Sequence, residues 1–490
     1  MLRKIRIFFA TLFIVAITAL FLDFTGVLHH WLGWMAKVQF VPAVLSLNIV
    51  VIAILLLLTF LFGRVYCSVV CPLGIIQDVV SNLSSQRKGK RARFSFVKEN
   101  RWLRYSVAVV FVLLFVVGFS WVAALIEPYS IYGRMVTSLV SPLYLWVNNF
   151  FAYLAERADS YAFYSVDIWV RSAAAVALSL VTLVIIAVLA WRGGRVWCNN
   201  ICPVGTVLGV VSRYSVFRPT IDESKCVGCK LCERSCKSRC INAADKSIDY
   251  SRCVACMNCV DKCKQGALKY KYVGLGKSDK AVVVDEGRRS FIAISGALLG
   301  SAAIAQEGKV VDGGLAAIEE KKIPKRSTCI VPAGALSIAN FNQHCTSCQL
   351  CVSKCPNNVL RPSQSIERFL QPEMSFERGY CRPACNICSQ VCPNGAIRPI
   401  EKEMKSAIKI GTAVLVSENC ISYNGQRCGN CERHCPNGAI KMVDCKDKPK
   451  AKMPIIDAER CLGCGACEYV CPARPFSAIF VEGIEEHRTI

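Results

Sequence analysis

The feature that most constrains this chain is a run of four cysteines that occurs six times between residues 226 and 471. The shared spacing is Cys-x2-Cys-x2-Cys-x3-Cys, with the first gap widened to three residues in the fourth run and to seven in the fifth. Three closely spaced thiolates on one loop each reach a different iron of a cubane cluster, and the fourth cysteine points to the neighbouring cluster. Such runs come in pairs, so the sequence predicts three pairs.

Each predicted ligand set combines three cysteines of one run with the last cysteine of its partner run. The six sets are Cys226, Cys229, Cys232 with Cys263; Cys253, Cys256, Cys259 with Cys236; Cys345, Cys348, Cys351 with Cys392; Cys381, Cys385, Cys388 with Cys355; Cys420, Cys428, Cys431 with Cys471; and Cys461, Cys464, Cys467 with Cys435. Zinc sites use two CxxC knuckles instead, and a disulfide scaffold would not need the same offsets six times. Six [4Fe–4S] clusters are therefore the predicted cofactors.

The first part of the chain is apolar rather than cysteine-rich. Four segments, at about 6–22, 43–62, 105–125 and 172–191, are long enough or nearly so to cross a bilayer as helices. Most basic residues of this part precede the first segment, separate the second from the third, or follow the fourth. The positive-inside rule then places both ends of this part in the cytoplasm.

An internal repeat lies at the predicted cytoplasmic ends of the second and fourth segments. The stretch GRVYCSVVCPLG at 63–74 matches GRVWCNNICPVG at 194–205. Each copy places two thiols one helical turn apart, followed by a proline that can open the next helix. The four cysteines of this repeat, Cys67, Cys71, Cys198 and Cys202, are candidates to ligate a metal or cluster, to act as a redox dithiol, or to pack as small apolar groups.

A stretch that resembles an export signal lies between the two cysteine-rich regions. It reads GRRSFIAISGALLGSAAIAQ from Gly287, with Arg288 and Arg289 followed by an apolar run at 291–305. Such a signal normally stands at an N-terminus. Its position predicts a join between two proteins, with the residues after about 306 on the far side of the membrane. An amphipathic linker is the alternative.

These features predict an α-helical membrane domain of four spans, with a fifth left open, joined to α+β ferredoxin domains of the bacterial two-cluster type. The predicted parts are the transmembrane domain with both CxxxCP motifs (1–215), a cytoplasmic two-cluster ferredoxin domain (216–275), a linker with the internal signal or fifth span at 288–305 (276–340), and two further ferredoxin pairs (341–400 and 401–490).

The net charge of +24 is no sign of nucleic-acid binding, because no recognition motif accompanies it. Many of the basic residues flank the apolar segments instead. The chain has five histidines, and a di-haem helical core of the cytochrome b kind needs four within the spans, which argues against that mechanism. His29, His30 and Glu127 lie near the predicted outer ends of spans, where they either accept protons from a substrate or pack at the interface.

Residues 1 to about 275, with four spans, two CxxxCP motifs and two cluster motifs, resemble the NapH-type membrane ferredoxin family. Residues from about 285 to 490, with a twin-arginine signal and four cluster motifs, are similar to the NapG/MauM-type family. The resemblance implies location in the cytoplasmic membrane of a prokaryote, with quinol as the electron donor and a periplasmic reductase or electron carrier as the partner. An assembly factor for a metalloenzyme and a relay fed by cytoplasmic ferredoxin, without quinone, are the alternatives.

Overall fold

The computed structural model describes residues 1–23, 26–86, 94–160, 162–274, 319–445 and 451–490. Up to Ser212 the described chain is almost entirely helical, and we call these residues the helical part. Its helices are α1 (Leu2–Leu22), α2 (Val27–Leu32), α3 (Trp34–Lys37), α4 (Phe40–Leu45), α5 (Ile49–Phe62), α6 (Pro72–Ser85), α7 (Arg101–Val117), α8 (Ser120–Ala123), α9 (Pro128–Met135), α10 (Ser141–Arg157), α11 (Ala173–Gly193), α12 (Val196–Asn200) and α13 (Pro203–Ser212), with π-helical turns at Tyr66–Val70 and Val136–Val140.

Two of the four predicted spans are continuous helices of sufficient length. Among the described residues, α1 and α11, each of 21 residues, are long and apolar enough to cross a membrane. The expectation of unbroken helices over 43–62 and 105–125 was wrong. In the segment 43–62, the Asn48 side chain accepts a hydrogen bond from the backbone N–H of Val51. Asn48 is therefore the N-cap of α5, and a new helix begins after it. Gly118 adopts a left-handed conformation that ends α7 after 17 residues.

Two compact modules containing the cysteine runs flank the helical part. The first ferredoxin module (217–272) contains β1 (Phe217–Ile221), α14 (Leu231–Ser235), β2 (Ile241–Asn242), β3 (Ser247–Ile248), α15 (Asn258–Lys262) and β4 (Leu268–Tyr272). Its outer strands β1 and β4 pair antiparallel from Phe217 opposite Tyr272 to Ile221 opposite Leu268, and β2 pairs with β3. The paired strands bring both cysteine runs of the module side by side.

The second ferredoxin module comprises the described residues of 319–490. Its elements are α16 (Ile338–His344), α17 (Leu350–Ser353), β5 (Leu360–Pro362), β6 (Pro372–Met374), α18 (Ile387–Val391), α19 (Lys402–Lys405), β7 (Ile408–Leu415), α20 (Asn430–Arg433), β8 (Ile440–Asp444), β9 (Lys452–Ile456), α21 (Ala466–Val470) and β10 (Ile479–Thr489), with single 3-10 turns at Ile366–Arg368 and Ser417–Asn419. Strands β5 and β6, β7 and β10, and β8 and β9 form antiparallel pairs. One hydrophobic core joins the last four cysteine runs.

The two modules lie at opposite ends of α1. At its beginning, Arg3 Nη1 lies 2.7 Å from Asp261 Oδ2 of the first module. Just after its end, Asp23 Oδ2 lies 2.8 Å from Lys354 Nζ of the second module, and both side chains are almost fully buried (4% and 1% exposed). At about 1.5 Å per residue, 21 residues separate the two contacts by about 30 Å.

Helix α7 and its extension α8 also reach both modules. Near the start of α7, Arg104 Nη1 donates to Ser251 Oγ of the first module at 3.1 Å. At the start of α8, Ser120 Oγ donates to the carbonyl oxygen of Cys345 in the second module at 3.2 Å. Although α7 ends early, the polypeptide from Arg101 to Ala123 therefore runs from one module to the other.

Helices α5 and α11 connect the same two regions. The Tyr270 hydroxyl of the first module donates to the carbonyl oxygen of Phe62 at the end of α5, over 3.0 Å. Just after α11, the backbone N–H of Arg195 donates to the carbonyl oxygen of Lys237 in the first module at 2.9 Å. The opposite ends of these helices face the second module, where Ser46 contacts Gly395 and Ala175 shares a cavity with Lys354.

Candidate iron–sulfur and thiol sites

Three cavities in the ferredoxin modules each have the four cysteines of a predicted three-plus-one set in their walls. In the first module, one cavity is lined by Cys226, Cys229, Cys232 and Cys263. A second is lined by Cys253, Cys256, Cys259 and Cys236, together with Cys240. In the second module, the third is lined by Cys461, Cys464, Cys467 and Cys435. The folded chain thus brings the last cysteine of each of these runs to its partner run.

The two earlier runs of the second module show the same exchange. Burial raises the pKa of the Cys345 thiol, and the neighbouring thiols of Cys348 and Cys392 raise it further. Burial likewise raises the pKa of Cys388, to which nearby Cys381 and Cys355 contribute. Cys392 and Cys355 therefore each lie beside the partner run.

A repeated backbone conformation presents the closely spaced cysteines. In four runs the residue after the second cysteine is left-handed: Lys230 (φ 58°), Met257 (φ 60°), Gln349 (φ 62°) and Gly465 (φ 80°). Each of these residues precedes a short helix of four or five residues that contains the third cysteine. Non-glycine residues adopt this conformation at some cost, so the tertiary structure must maintain it at three of the four positions.

The donor set of these cavities, four thiols in the three-plus-one pattern, is that of a multi-iron cluster. A single zinc holds its sulfur ligands at about 2.3 Å, which crowds them together. Among the described residues, no three His, Cys, Asp or Glu side chains come close enough to hold one metal ion. In a cubane each thiolate binds a different iron, so the four sulfurs stand further apart. The cysteine-lined cavities fit that arrangement.

Two cysteine sets of the second module are in direct contact. The backbone N–H of Cys381 donates to the carbonyl oxygen of Cys464 at 2.9 Å. Beside this contact, Lys405 Nζ lies 3.2 Å from Cys381 Sγ. A positive charge at this distance stabilises negative charge on a thiolate. The two sets are therefore neighbours within one module.

The four cysteines of the CxxxCP repeat come together in the helical part and are all buried. We call Cys67, Cys71, Cys198 and Cys202 the CxxxCP site. As the sequence predicts, Pro72 opens α6 and Pro203 opens α13 directly after the second cysteine of each motif. Cys71 and Cys202 thereby become the N-cap residues of two helices whose N-termini carry partial positive charge.

The two copies of the repeat exchange hydrogen bonds through their arginines. Arg64 Nη2 of the first copy donates to the carbonyl oxygen of Cys198 at 3.1 Å, and Arg195 Nη1 of the second donates to that of Cys67 at 2.6 Å. Both arginines are fully buried. Gly74 and Gly205 make room for this exchange, because a Cβ on either would lie under 3 Å from a cysteine carbonyl oxygen and from the arginine of the other copy.

Positive charge outnumbers negative charge beside the CxxxCP site. Asp78 accepts from Arg195 Nε at 2.9 Å and from Arg6 Nη1 at 2.7 Å, and Lys237 Nζ lies 3.7 Å away. Burial alone would raise the pKa of the Asp78 carboxyl, but these cations hold it well below its usual range. Among the described residues Arg64 has no carboxylate partner, and its Nη2 lies 3.7 Å from Cys67 Sγ.

The CxxxCP site lies beside the first module and one short helix away from the second. Arg64 Nη1 donates to the carbonyl oxygen of Ser251 at 3.2 Å, two residues before Cys253. On the other side, Ile131 and Met135 of α9 pack in the same apolar cluster as Cys67, Cys71 and Cys202. The opposite face of α9 contacts the second module, where Gly133 lies against the carbonyl oxygen of Cys348.

Several residues near these sites were missed or left open by sequence reasoning. Arg64 and Arg195 stand at equivalent positions of the repeat, which is the signal that could have identified them, whereas nothing marks Asp78. Cys240, which belongs to no predicted set, is buried with its sulfur 3.5 Å from that of Cys236. The twin arginines Arg288 and Arg289 and the segment 288–305 lie outside the described residues.

Two of the three groups considered for quinol protons, Glu127 and His29, lie at the end of the helical part that meets the second module. Glu127 caps the N-terminus of α9 by accepting the backbone N–H of Ser130, and burial raises the pKa of its carboxyl. Burial also lowers the pKa of His29, and the neighbouring charge of Lys354 lowers it further. Both observations are compatible with interfacial packing.

The fold and these sites define a ferredoxin-type protein whose 4Fe–4S domains are attached to a helical part. A model described as a 4Fe-4S binding domain matches residues 45–91 and 175–221, which contain the CxxxCP motifs. Another of that description matches 219–242 and 246–269, and a 4Fe-4S dicluster domain matches 426–474. No solved structure matches the chain.

Relatives include the ferredoxin-type protein NapH of Haemophilus influenzae, 28% identical over 39% of this chain and 54% of its own. The methylamine utilization ferredoxin-type protein MauN of Methylobacillus flagellatus is 26% identical over 36% of this chain and 50% of its own. The putative electron transport protein YccM of Escherichia coli is 25% identical over 40% of this chain and 48% of its own. The chain spans about half the length of these relatives. They confirm the resemblance to the NapH-type ferredoxin family, whereas the likeness of the second half to the NapG/MauM type stays a prediction.

Proposed function

We propose that this protein is a membrane-bound iron–sulfur conduit that passes electrons from quinol through [4Fe–4S] clusters to a periplasmic reductase or electron carrier. The observation that carries the proposal is the position of two ferredoxin modules at opposite ends of one apolar helix, α1. A bilayer's hydrocarbon core is about 30 Å thick, which about 21 helical residues span. The names of the relatives, ferredoxin-type proteins, support the redox role.

The six cysteine sets predicted from the sequence are the proposed cluster ligands. When bound, a [4Fe–4S] cluster accepts and releases one electron at a potential set by its surroundings. The chain's own contribution is to hold the thiolates, to exclude water from them and to bring the sets close together. The Cys381–Cys464 contact supports passage of electrons within the second module.

The CxxxCP site is the proposed connection between the two modules. Burying an arginine without a counter-charge is costly. Arg64 is fully buried, and the described residues give it no carboxylate partner, but its Nη2 lies 3.7 Å from Cys67 Sγ. Negative charge on those thiols, as thiolates of a further cluster or metal–sulfur centre, would balance it. Of the three roles left open by the sequence, this favours ligation over packing.

Four crossings of the membrane, by α1, α5, α7–α8 and α11, are proposed for the helical part, and the signal at 288–305 is proposed to carry the chain across once more. All four connect the region of the first module to that of the second. Because the basic residues concentrate at the end that meets the first module, that end is assigned to the cytoplasm and the second module to the periplasm. The predicted twin-arginine signal before residue 306 agrees with this assignment.

The proposal is tested with the full-length protein, purified anaerobically and inserted in nanodiscs. Menadiol, a soluble quinol, should bleach the visible absorbance of the clusters, and dithionite should define complete reduction. Reduced cytoplasmic-type ferredoxin is offered in a parallel sample. If ferredoxin bleaches the clusters and menadiol does not, the quinone-free relay is correct; if neither does while dithionite does, an assembly role becomes the better explanation.

A further inference from the structure

A cavity of about 310 Å³ lies where the helical part meets the second module. The end of α1 contributes Phe21, the start of α11 contributes Ala175, and the second module contributes Gln349 and Cys355. Its volume falls within the range of about 300–1,000 Å³ typical of small-molecule sites, and such sites favour interfaces of this kind. Neither the six cysteine sets nor the CxxxCP site accounts for this cavity.

Two buried polar groups on its wall have no hydrogen-bond partner among the described residues. They are the Nε2 amide of Gln349 and the Oγ1 hydroxyl of Thr137, on side chains of residues that are 1% and 6% exposed. A buried polar atom left unpaired loses its hydrogen bonds to water without replacement, so such atoms in a cavity wall indicate a polar ligand or water. One group belongs to each side of the interface.

The remaining wall is part apolar and part polar, and Arg171 and Lys354 add positive charge to it. Phe21, Leu145 and Val176 line the cavity beside the two polar groups. On the outward face of the neighbouring helix α10, Leu143 and Trp146 are 66% and 65% exposed, as suits side chains that face hydrocarbon. A ligand that enters from the bilayer, with an apolar body and two polar oxygens, matches this combination.

Two cysteine sets border the cavity. Gln349 directly follows Cys348, and Cys355, which completes the neighbouring set, is itself part of the wall. Lys354, also on the wall, is held in place by its buried ion pair with Asp23. A redox-active ligand in the cavity would therefore lie next to two of the proposed clusters.

We infer that this cavity binds the head group of a quinol, with the Gln349 amide and the Thr137 hydroxyl bonded to its oxygens. The inference rests on the proposed function and adds the site at which the electrons enter. Oxidation breaks the two O–H bonds of the quinol. The two protons pass to water at the rim, where exposed Asp167 lies, and one electron passes to each of two oxidised [4Fe–4S] clusters, those bound through Cys348 and Cys355.

The test uses photolabelling of the full-length protein in nanodiscs with an azido-naphthoquinone, followed by peptide mapping. Ser138→Phe fills the cavity from the π-helical turn, and Leu143→Phe adds the same ring nearby on α10 without facing the cavity. Gln349→Leu removes the amide at nearly constant size. Iron content and bleaching by dithionite show that each variant retains its clusters.

We expect label in peptides covering 137–145 or 349–362. It should fall at least about tenfold in Ser138→Phe, the loss that corresponds to about 1.4 kcal/mol of binding free energy, and stay unchanged in Leu143→Phe. Gln349→Leu should weaken labelling by about two- to tenfold. Label confined to other peptides, or undiminished in cluster-replete Ser138→Phe, overturns the inference. Bleaching by menadiol is scored separately and decides only the proposed function.

Discussion

Arg195, in the second copy of the CxxxCP repeat, donates from Nη1 to the carbonyl oxygen of Cys67 in the first copy at 2.6 Å. The reciprocal bond, from Arg64 to the carbonyl oxygen of Cys198, makes each copy complete the other. The arginine of each copy binds a cysteine carbonyl oxygen of the other copy, so neither copy can form the CxxxCP site alone.

Replacing Arg195 by Met should destabilise the protein strongly. The change removes the bond to Cys67 and leaves the buried Asp78 with one fewer cation, and breaking a buried ion pair costs about 3–5 kcal/mol. Thermal unfolding of the purified protein should show a clearly lower midpoint. Arg192→Met, on an exposed arginine of α11, is the matched control and should shift the midpoint little. Equal midpoints for the two variants would contradict the structural role of Arg195.

The Asp23–Lys354 pair should couple the helical part to the second module. Lys354→Met removes the cation that faces a buried carboxylate, and Asp23→Asn removes the anion that faces a buried ammonium, so each single change should cost about 3–5 kcal/mol. The double variant should lose much less stability than the sum of the losses in the two single variants. Midpoints of thermal unfolding measure the cycle, with Arg361 and Glu373, a more exposed pair, as the comparison. Additive losses at Asp23 and Lys354 would mean that the pair contributes no coupling.

Iron analysis should give about 24 irons per chain if the six cysteine sets each hold four, and about four more if the CxxxCP site holds a further cluster. Cys464→Ser should lower the iron content by up to about four irons by disabling one set. Cys329→Ser is the control, because Cys329 belongs to no predicted set. A value near eight in the parent protein would mean that one pair of sets alone is occupied.

Changing Cys71 and Cys202 together to Ser should disconnect the first module from quinol. A hydroxyl keeps the approximate size of the thiol but removes a soft ligand. With electrons entering at the second module, menadiol should still bleach the four sets there, about two thirds of the six, while the first module stays oxidised unless dithionite is added. Unchanged bleaching in a cluster-replete double variant would assign these cysteines to packing.

A reporter fused near residue 340 should be periplasmic, and one fused near 275 cytoplasmic. Replacing Arg288 and Arg289 by Lys should retain the second module inside the cell, because the export route reads the arginine pair. Retention of periplasmic activity after the replacement would exclude the twin-arginine route. Cytoplasmic activity of the residue-340 fusion in the parent chain would reject the topology as a whole.

The sequence by itself identified what is local along the chain. Three cysteines of each set stand within a few residues on one loop, and this spacing indicates an iron–sulfur cluster wherever the loop lies. The local structure of the CxxxCP repeat could also be predicted from the sequence, because a proline directly after the cysteine begins a helix. Helix continuity was the local failure: Asn48 and Gly118 interrupt apolar segments that hydropathy alone treats as unbroken.

Tertiary structure decided which distant residues meet. The Lys354–Asp23 pair joins residues 331 apart in sequence, and Arg195 reaches Cys67 across 128 residues. The cavity beside Gln349 combines walls from α1, α10, α11 and the second module, none of which marks a binding site alone. Hydropathy and motif spacing report each residue's own preferences. The burial of a residue, the charges around it and the lack of a partner for an amide all depend on residues that are distant in sequence. These properties are therefore determined by the tertiary structure.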